Sequence, residues 1–280
     1  LRKNFCIFFL YIFSRIFASV KKIQLLLRYF KYLLSAKGKH ATHSPFLFSF
    51  VTKVINARQK NEDCKEIEFL RKSLCKSEKE ITITDFGAGS SINKANKRKI
   101  KDIAHNSAKN AKFGYLLYRI CVFFAPNSIV ELGTSLGIST SYLAKGNLES
   151  NVFTFEGCPE TAAIAKENFK NLYLRNIDLT IGKFENTLSE KLKDIKTVDL
   201  AFIDGNHQEK PTIAYFDEIL KFSNNNTVFI FDDIHWSSGM ENAWDYIKAH
   251  TKTSLTIDLF FIGIVFVKSE LSKEDFIIRF

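Results

Sequence analysis

Apolar and polar residues alternate along the second half of the chain in a way typical of repeated strand and helix units. From residue 127 onwards, apolar runs of strand length recur at Ile129–Leu132, Val152–Phe155, Leu179–Ile181, Val198–Ile203 and Val228–Phe231. Stretches of helix length separate these runs. Repeated units of this kind predict a parallel sheet with helices on both faces.

The end of the chain breaks this pattern. Leu255–Leu259 and Phe261–Val267 are two strand-like runs with almost nothing between them. Two neighbouring strands that are joined so tightly must be antiparallel. The sequence therefore predicts an α/β fold with a doubly wound, Rossmann-like sheet that closes with an antiparallel pair.

The first part of the chain has a different pattern. Residues 21–36 carry apolar positions at helical spacing with Lys and Arg between them, and residues 60–80 are dense in charge and predict an exposed helix. Ile81–Thr84 predicts a short strand, and a basic helical stretch follows to about residue 124. We therefore divide the chain into an apolar and basic helical segment (1–36), a basic, mainly helical cap region (37–126) and a sheet domain (127–280).

The net charge of +10 is distributed unevenly between these parts. Residues 1–125 contain 25 Lys/Arg and 8 Asp/Glu, a balance of +17, whereas residues 126–280 contain 15 and 22, a balance of −7. Such asymmetry indicates parts with different surroundings. The basic part is either a solvated surface or a surface that attracts a membrane face, a nucleic acid or an anionic substrate.

The first twenty residues leave several interpretations open. Phe5–Val20 is strongly apolar but is interrupted by Arg15, and it is shorter than the ~20 residues that a membrane-spanning helix needs. A signal peptide has a similar pattern, but we favour a helix that packs on the protein or contacts a membrane surface. The five cysteines include no CxxC pair, which favours a reducing compartment. We expect a cytoplasmic protein, with membrane association through the N-terminus left open.

A glycine-containing loop follows the first predicted strand of the sheet domain. The strand ends at Glu131 and Leu132, and the chain continues through Gly133, Thr134, Ser135, Leu136 and Gly137 into a predicted helix. Glycines allow a sharp turn and a close approach of a ligand, and the amides at a helix start bind polar groups. The spacing is G-x-x-x-G, so it does not indicate the pyrophosphate site of dinucleotide-binding proteins.

An acidic residue ends the second predicted strand, where Glu156 is followed by Gly157. A carboxylate at this point of a doubly wound sheet is well placed to accept hydrogen bonds from ribose hydroxyls. The alternative interpretation is a solvated strand end.

Five motifs in order resemble those of class I S-adenosylmethionine-dependent methyltransferases. They are SIVELGTSLGISTSYLA, VFTFEGCPE and IDLTIGKFENTL, followed by VDLAFIDGNH and VFIFDDIHWSSGMENAW, of which the last two resemble the small-molecule O-methyltransferase branch. The resemblance implies seven strands with the last antiparallel, and S-adenosylmethionine as cofactor. It also implies that the cofactor is bound by Glu131, Gly133, Thr134, Ser135, Gly137, Glu156, Gly157, Lys183, Phe184 and Asp204. Lys183 departs from the family, which more often has an acidic residue beside the adenine.

Polar residues follow the fourth and fifth predicted strands. Asp204, Asp232 and Asp233 stand at these two ends, and carboxylates that converge in one crevice repel each other unless a cation neutralises them. Oxygen ligands of this kind suit Mg²⁺. The resemblance to metal-dependent O-methyltransferases implies that these three aspartates bind the metal, that Asp204 belongs to the catalytic centre and that His207 is the general base. The alternatives are that the aspartates cap local backbone and that His207 is a surface residue.

Other residues near these strand ends have less definite roles. His235 and Trp236 are candidates to line the acceptor pocket. Asp85–Ser90 (DFGAGS) looks like a second cofactor loop, but no strand ending in an acid follows it near residue 110. We interpret it as a loop of the N-terminal part that lies over the active site.

The motifs favour methylation of a small molecule, with an anionic acceptor left open. A nucleic-acid methyltransferase is disfavoured because the fourth strand ends in Asp204-Gly205-Asn206-His207, without the Asn/Asp-Pro-Pro-aromatic sequence of base-amine methylation. A non-catalytic module that binds a membrane surface and keeps a methyltransferase fold is a second alternative.

Overall fold

The computed structural model describes residues 23–36, 44–57, 62–84, 96–107 and 110–280. The apolar segment Phe5–Val20 and the Asp85–Ser90 loop, for which the sequence suggested roles, lie outside these residues.

The N-terminal part is mainly helical. Helix α1 covers residues 23–35, and the elements that follow are α2 (Pro45–Phe50), a π-helical turn (Val51–Ile55), a 3₁₀ turn (Glu62–Cys64), α3 (Lys65–Leu74), β1 (Glu80–Ile83), β2 (Asn96–Lys99), α4 (Ile100–Ser107) and α5 (Ala111–Phe124). The helix predicted within residues 21–36 and the strand predicted at Ile81–Thr84 are both present. The strands β1 and β2 form an antiparallel pair.

Helix α3 differs in one respect from the exposed helix predicted within residues 60–80. Its inner face is buried, with Ile67 and Leu74 packed in the core. Glu68 is also buried, and its carboxylate accepts hydrogen bonds from the Arg71 guanidinium and the Tyr142 hydroxyl. Because Glu68 has these partners, a charged residue can face inward here.

The second part is the predicted sheet with helices on both faces. Its elements are β3 (Ser128–Leu132), α6 (Ile138–Gly146), β4 (Asn151–Glu156), α7 (Pro159–Asn171), β5 (Ile177–Ile181), α8 (Phe184–Ile195), β6 (Val198–Ile203), α9 (Glu209–Leu220), β7 (Ser223–Asp232), α10 (Ser238–Ala249), β8 (Leu255–Asp258), β9 (Ile262–Phe266) and β10 (Glu274–Ile277). The strand order is β10-β8-β9-β7-β6-β3-β4-β5.

The strand directions confirm the predicted fold class. Strands β3 to β7 pair in parallel. Strand β9, the seventh strand of this sheet in chain order, is antiparallel to both β7 and β8. The structure adds an eighth strand, β10, which is parallel to β8 at the sheet edge. Its sequence Glu-Asp-Phe-Ile is half polar, so no apolar run marked it.

The core joins the N-terminal part to the sheet. The central strands are buried on both faces, as in sheets that helices cover from both sides. Phe50 of α2 and Leu116 of α5 belong to the same buried cluster as Ile129 of β3. The rings of Phe50 and Phe266 lie 5.5 Å apart at nearly right angles. The described residues of the cap region therefore pack directly on one face of the sheet.

Candidate active site

The order of the strands reverses at the centre of the sheet. From β3 the chain proceeds to β4 and β5 on one side, and from β6 to β7 on the other. In a doubly wound sheet, a crevice opens at such a point beyond the carboxyl ends of the strands. A cavity of about 700 Å³ lies here.

The glycine loop after β3 forms one wall of this cavity. Gly133, Ser135 and Gly137 have φ angles of 106°, 49° and 81°, and a Cβ on Gly133 would lie only 2.2 Å from the backbone oxygen of Asp204. The Gly133 and Thr134 amides both donate to the Phe155 carbonyl, at 3.0 and 3.1 Å. The loop is therefore fixed against β4 and β6, with no room for a side chain at residue 133.

Glu156 connects the glycine loop to the end of β4. Its Oε2 accepts a hydrogen bond from the Ser135 amide at 2.8 Å, and its Oε1 accepts one from the Cys158 amide at 2.9 Å. Burial raises the pKa of the carboxyl group, against the lowering effect of these amides. Glu156 lines the cavity together with Gly157.

Glu131 lies behind the loop. It is completely buried, and its Oε2 accepts hydrogen bonds from the hydroxyls of Thr154, at 2.6 Å, and Thr140. Burial raises its pKa. Neither Glu131 nor Gly137 is among the described residues that line the cavity. At Gly137 the loop packs closely on α7, since a Cβ on Gly137 would lie 2.5 Å from the Phe169 ring.

An aromatic wall follows at the end of β5. Lys183 and Phe184 line the cavity at the start of α8. The Phe184 ring packs edge-on against Tyr215, with centroids 5.7 Å apart, and a Cβ on Gly205 would lie 2.5 Å from the same ring. This wall offers a flat apolar surface, while Lys183 brings a positive charge.

The opposite end of the cavity is polar. His207 Nε2 lies 3.5 Å from Asp204 Oδ1, and Asp232 at the end of β7 is 3% exposed. One ligand atom from each of these three residues lies within 4.8 Å of the other two. The structure therefore brings together the ends of β6 and β7, as predicted.

Asp233 differs from the sequence interpretation, which grouped it with Asp204 and Asp232. It lines the cavity but lies outside the group of three, where His207 is the third member. The chain turns at Asp233 with a φ of 53°, and the Asp233 amide donates to the Phe261 carbonyl at 2.6 Å.

The N-terminal part supplies a wall of the cavity whose residues were not predicted from the sequence. Its residues that line the cavity are Ile83, Thr84, Arg98, Ile103 and Asn106. The Thr82 amide donates to Glu160 Oε2 at 2.6 Å, and the Thr84 amide donates to Cys158 Sγ at 3.4 Å. These bonds fix β1 beside the start of α7. The only signal for this wall in the sequence is the strand pattern of β1 itself.

The two candidate pocket residues after β7 have separate environments. Trp236 lines the cavity and is 57% exposed. The His235 ring is bonded to Glu241 Oε1 at 3.1 Å and to Asp258 Oδ2 at 2.7 Å, and it stacks on Phe260. Burial lowers the pKa of His235, but the two carboxylates outweigh it and raise the pKa overall. Trp236 is therefore available to a ligand, whereas His235 is a structural residue.

This arrangement of sheet, glycine loop and strand-end acids is the fold of the class I methyltransferases. Residues 130–234 match a family model described as a methyltransferase domain. No curated protein matched the chain significantly. The central part of the chain is therefore similar to this family.

Solved structures share this fold at low sequence identity. An O-methyltransferase from Bacillus cereus in complex with SAH is 20% identical with a TM-score of 0.52, over 78% of this chain and 96% of that chain. A putative O-methyltransferase from Klebsiella pneumoniae is 16% identical with a TM-score of 0.52, over 77% of this chain and 94% of that chain. An O-methyltransferase from Streptomyces achromogenes, involved in tomaymycin synthesis and solved in complex with SAM, is 19% identical. Its TM-score is 0.50, over 59% of this chain and 83% of that chain.

Proposed function

We propose that this protein transfers a methyl group from S-adenosylmethionine to a hydroxyl oxygen of a small molecule. One observation carries the proposal. The glycine loop with Glu156, the aromatic wall at Phe184 and the polar group around Asp204 all line a single cavity. A cofactor half and an acceptor half that share one cavity can hold a sulfonium methyl beside a nucleophile.

The cofactor half has the chemistry that a nucleoside requires. The Glu156 carboxylate accepts hydrogen bonds from two backbone amides. Because a carboxylate has about four lone-pair sites, it can also accept hydrogen bonds from ribose hydroxyls. Phe184 can stack against the adenine, and Lys183 stands where relatives more often have an acid. The bound SAH and SAM in the Bacillus and Streptomyces structures support this choice of cofactor.

The acceptor half fits a divalent cation. Two carboxylates and an imidazole within 4.8 Å of one another form a donor set with both oxygen and nitrogen. Mg²⁺ prefers oxygen ligands, so we assign Asp204 and Asp232 to the cation, with Asp233 as a third oxygen donor from the same loop. A bound cation would lower the pKa of the acceptor hydroxyl.

We assign His207 to the removal of the acceptor proton. His207 lines the cavity, and its Nε2 lies 3.5 Å from Asp204 Oδ1. A general base must be within hydrogen-bond reach of the hydroxyl. One nitrogen lone pair cannot bind a cation and accept a proton at the same time. The two roles of His207 therefore exclude each other and can be distinguished by experiment.

The cofactor half can be tested by calorimetric titration with S-adenosylmethionine. We expect Glu156→Ala to weaken binding by about 5- to 150-fold, corresponding to ~1–3 kcal/mol for a charged hydrogen-bond acceptor. Glu156→Gln, which keeps the shape of the side chain, tests the charge alone. Glu167→Ala, on the exposed side of α7, is the control. A folded wild-type protein that does not bind the cofactor would overturn the proposal.

Acceptor chemistry can then be tested with methyl-labelled S-adenosylmethionine. We expect label to transfer to members of a panel of phenols and alcohols. Transfer to amines or nucleic acids, with none to hydroxyl compounds, would contradict O-methylation. Tight cofactor binding without transfer to any acceptor class would favour the non-catalytic alternative.

A further inference from the structure

Helix α1 exposes a continuous apolar surface. The side chains of Ile23, Leu26, Leu27, Phe30 and Leu34 are between 53% and 74% exposed. Their spacing places all five on one side of the helix. Tyr32, on the opposite side, is only 5% exposed. We call the five residues the α1 stripe.

The opposite side of α1 is anchored to the C-terminal part of the chain. The Tyr32 hydroxyl donates to the Ile278 carbonyl at 2.6 Å, and Arg28 Nε donates to Glu241 Oε2 at 2.8 Å. The Tyr29 ring also packs edge-on against Phe260. With these bonds in place the helix cannot rotate to bury the α1 stripe. Among the described residues, the α1 stripe is therefore held on the exposed side of the helix.

All the charged residues in the sequence around α1 are basic. Residues 1–61 contain 12 Lys/Arg and no Asp or Glu, the first acidic residue being Glu62. Lys31 is exposed beside the stripe, and Lys21 and Lys22 come directly before α1 in the sequence. The apolar sequence Phe5–Val20 precedes them. An apolar helix face with Lys and Arg around it is the pattern of helices that lie in a membrane interface.

Charge distinguishes a second copy of the chain from a lipid surface as the occupant of this apolar face. A second copy of the chain would bring two exclusively basic segments together, and like charges repel. An anionic lipid surface would instead attract the same residues.

Length determines how α1 can meet a bilayer. No helix among the described residues is long and apolar enough to cross a membrane. The 13 residues of α1 that are described span about 20 Å, less than the ~30 Å hydrocarbon core. The stripe is therefore suited to lie along the surface of one leaflet.

We propose that the α1 stripe docks this protein onto the surface of a bilayer that contains anionic phospholipid. The five apolar side chains enter the interface, and the positive charge of the 1–61 segment attracts the anionic headgroups. This proposal does not depend on the methyltransferase activity.

The test is co-sedimentation of the full chain with vesicles of phosphatidylcholine alone or mixed with phosphatidylglycerol. We expect binding to the mixed vesicles, and we expect salt to weaken it. The Leu26→Asp/Phe30→Asp double variant should bind at least about tenfold more weakly, because it replaces two apolar side chains with charges. The control is Phe69→Asp, at a 77% exposed position on α3. Thermal unfolding should show that all variants are folded.

Several outcomes would overturn the proposal. One is equal binding of the wild type and the double variant, including the case in which only deletion of residues 1–22 removes binding. A second is equal binding to neutral and anionic vesicles. A third is no binding to vesicles, together with a dimer in solution that the double variant abolishes, which would assign the stripe to a second copy.

Discussion

His207 Nε2 lies 3.5 Å from Asp204 Oδ1, across a turn in which Asn206 and His207 both have positive φ angles, of 69° and 35°. Backbone in this region is unfavourable for residues other than glycine and is often found at functional sites. The turn holds the imidazole at the cavity wall beside the end of β6. It therefore fixes the position from which His207 would act on an acceptor.

The role of His207 as a base predicts a loss of turnover without a loss of cofactor affinity. We expect His207→Ala to reduce turnover by ~10²–10⁴, and part of the loss to return at high pH, where the acceptor hydroxyl ionises unaided. Steady-state rates across a pH series, once an acceptor is identified, provide the measurement. His105→Ala, at an exposed position on α4, is the matched control. Full activity of the His207 variant would remove it from catalysis.

Metal binding can be tested without an acceptor, by titration with Mn²⁺ followed by electron paramagnetic resonance. We expect Asp204→Asn and Asp232→Asn to weaken binding by at least about tenfold, because each removes a carboxylate from the group of three. Asp245→Asn, at an exposed position on α10, serves as the control.

Two further variants decide between the possible donor sets. If Asp233→Asn weakens Mn²⁺ binding and His207→Ala does not, the three aspartates bind the cation and the imidazole remains the base. The reverse result would make His207 a ligand and refute its role as base. Unaltered binding in all four variants would leave the aspartates with a structural role only.

The buried Glu131 predicts a pH dependence of stability. Because burial raises its pKa above 4.5, the folded protein binds this proton more tightly than the unfolded chain does. The free energy of unfolding should therefore fall as the pH rises from 4.5 through the raised pKa. Glu131→Gln cannot titrate, so it should lack this decline and be more stable at neutral pH by on the order of 1 kcal/mol.

Urea unfolding across a pH series would measure this difference. Glu149→Gln, at an exposed position before β4, should behave as the wild type does. If the Glu131 variant is less stable than the wild type at neutral pH, the ionised carboxylate stabilises the loop and the interpretation is wrong.

The turn after β3 predicts a strong requirement for glycine. Gly133→Ala should lower the free energy of unfolding by at least roughly 1–3 kcal/mol, since φ is 106° and the new Cβ would meet the Asp204 carbonyl. Gly239→Ala, in the first turn of α10, meets only ordinary contacts from 3.5 Å outwards. We expect it to be neutral or stabilising by up to about 1 kcal/mol. Equal stability of the two variants in denaturant would contradict this account.

The sequence predicted the strands at the centre of the sheet well because they are buried on both faces. Each of the strands β3 to β7 contains an apolar run that the sequence marks directly, and the tight connection between β8 and β9 fixed their antiparallel direction. Two strands at sheet edges, β2 and β10, were not predicted. Strand β2 (Asn-Lys-Arg-Lys) and strand β10 pair along one edge only, so their polar sequences carry no alternating pattern.

The site was predictable only where local sequence determines it. The positions of Glu156, Asp204 and Asp232 at strand ends predicted that they lie at the cavity, because the carboxyl ends of parallel strands meet at the same edge of the sheet. Whether Glu131 faces the cavity or the core depends on side-chain packing against Thr140 and Thr154, which no motif encodes. Likewise, the approach of Arg98 to the cavity follows from long-range docking of the β1–β2 pair.

The anchoring of α1 also determines when this helix can reach its folded position during synthesis of the chain. Arg28 and Tyr32 find their partners 213 and 246 residues later in the chain. At ~5–20 residues per second, a ribosome needs on the order of 10–50 s to produce those partners. Of the described helices, α1 is therefore the first to be translated and among the last to dock. During that interval the residues of its inner face are uncovered as well as those of its outer stripe, so the nascent chain exposes both sets of side chains to chaperones and lipids before the fold is complete.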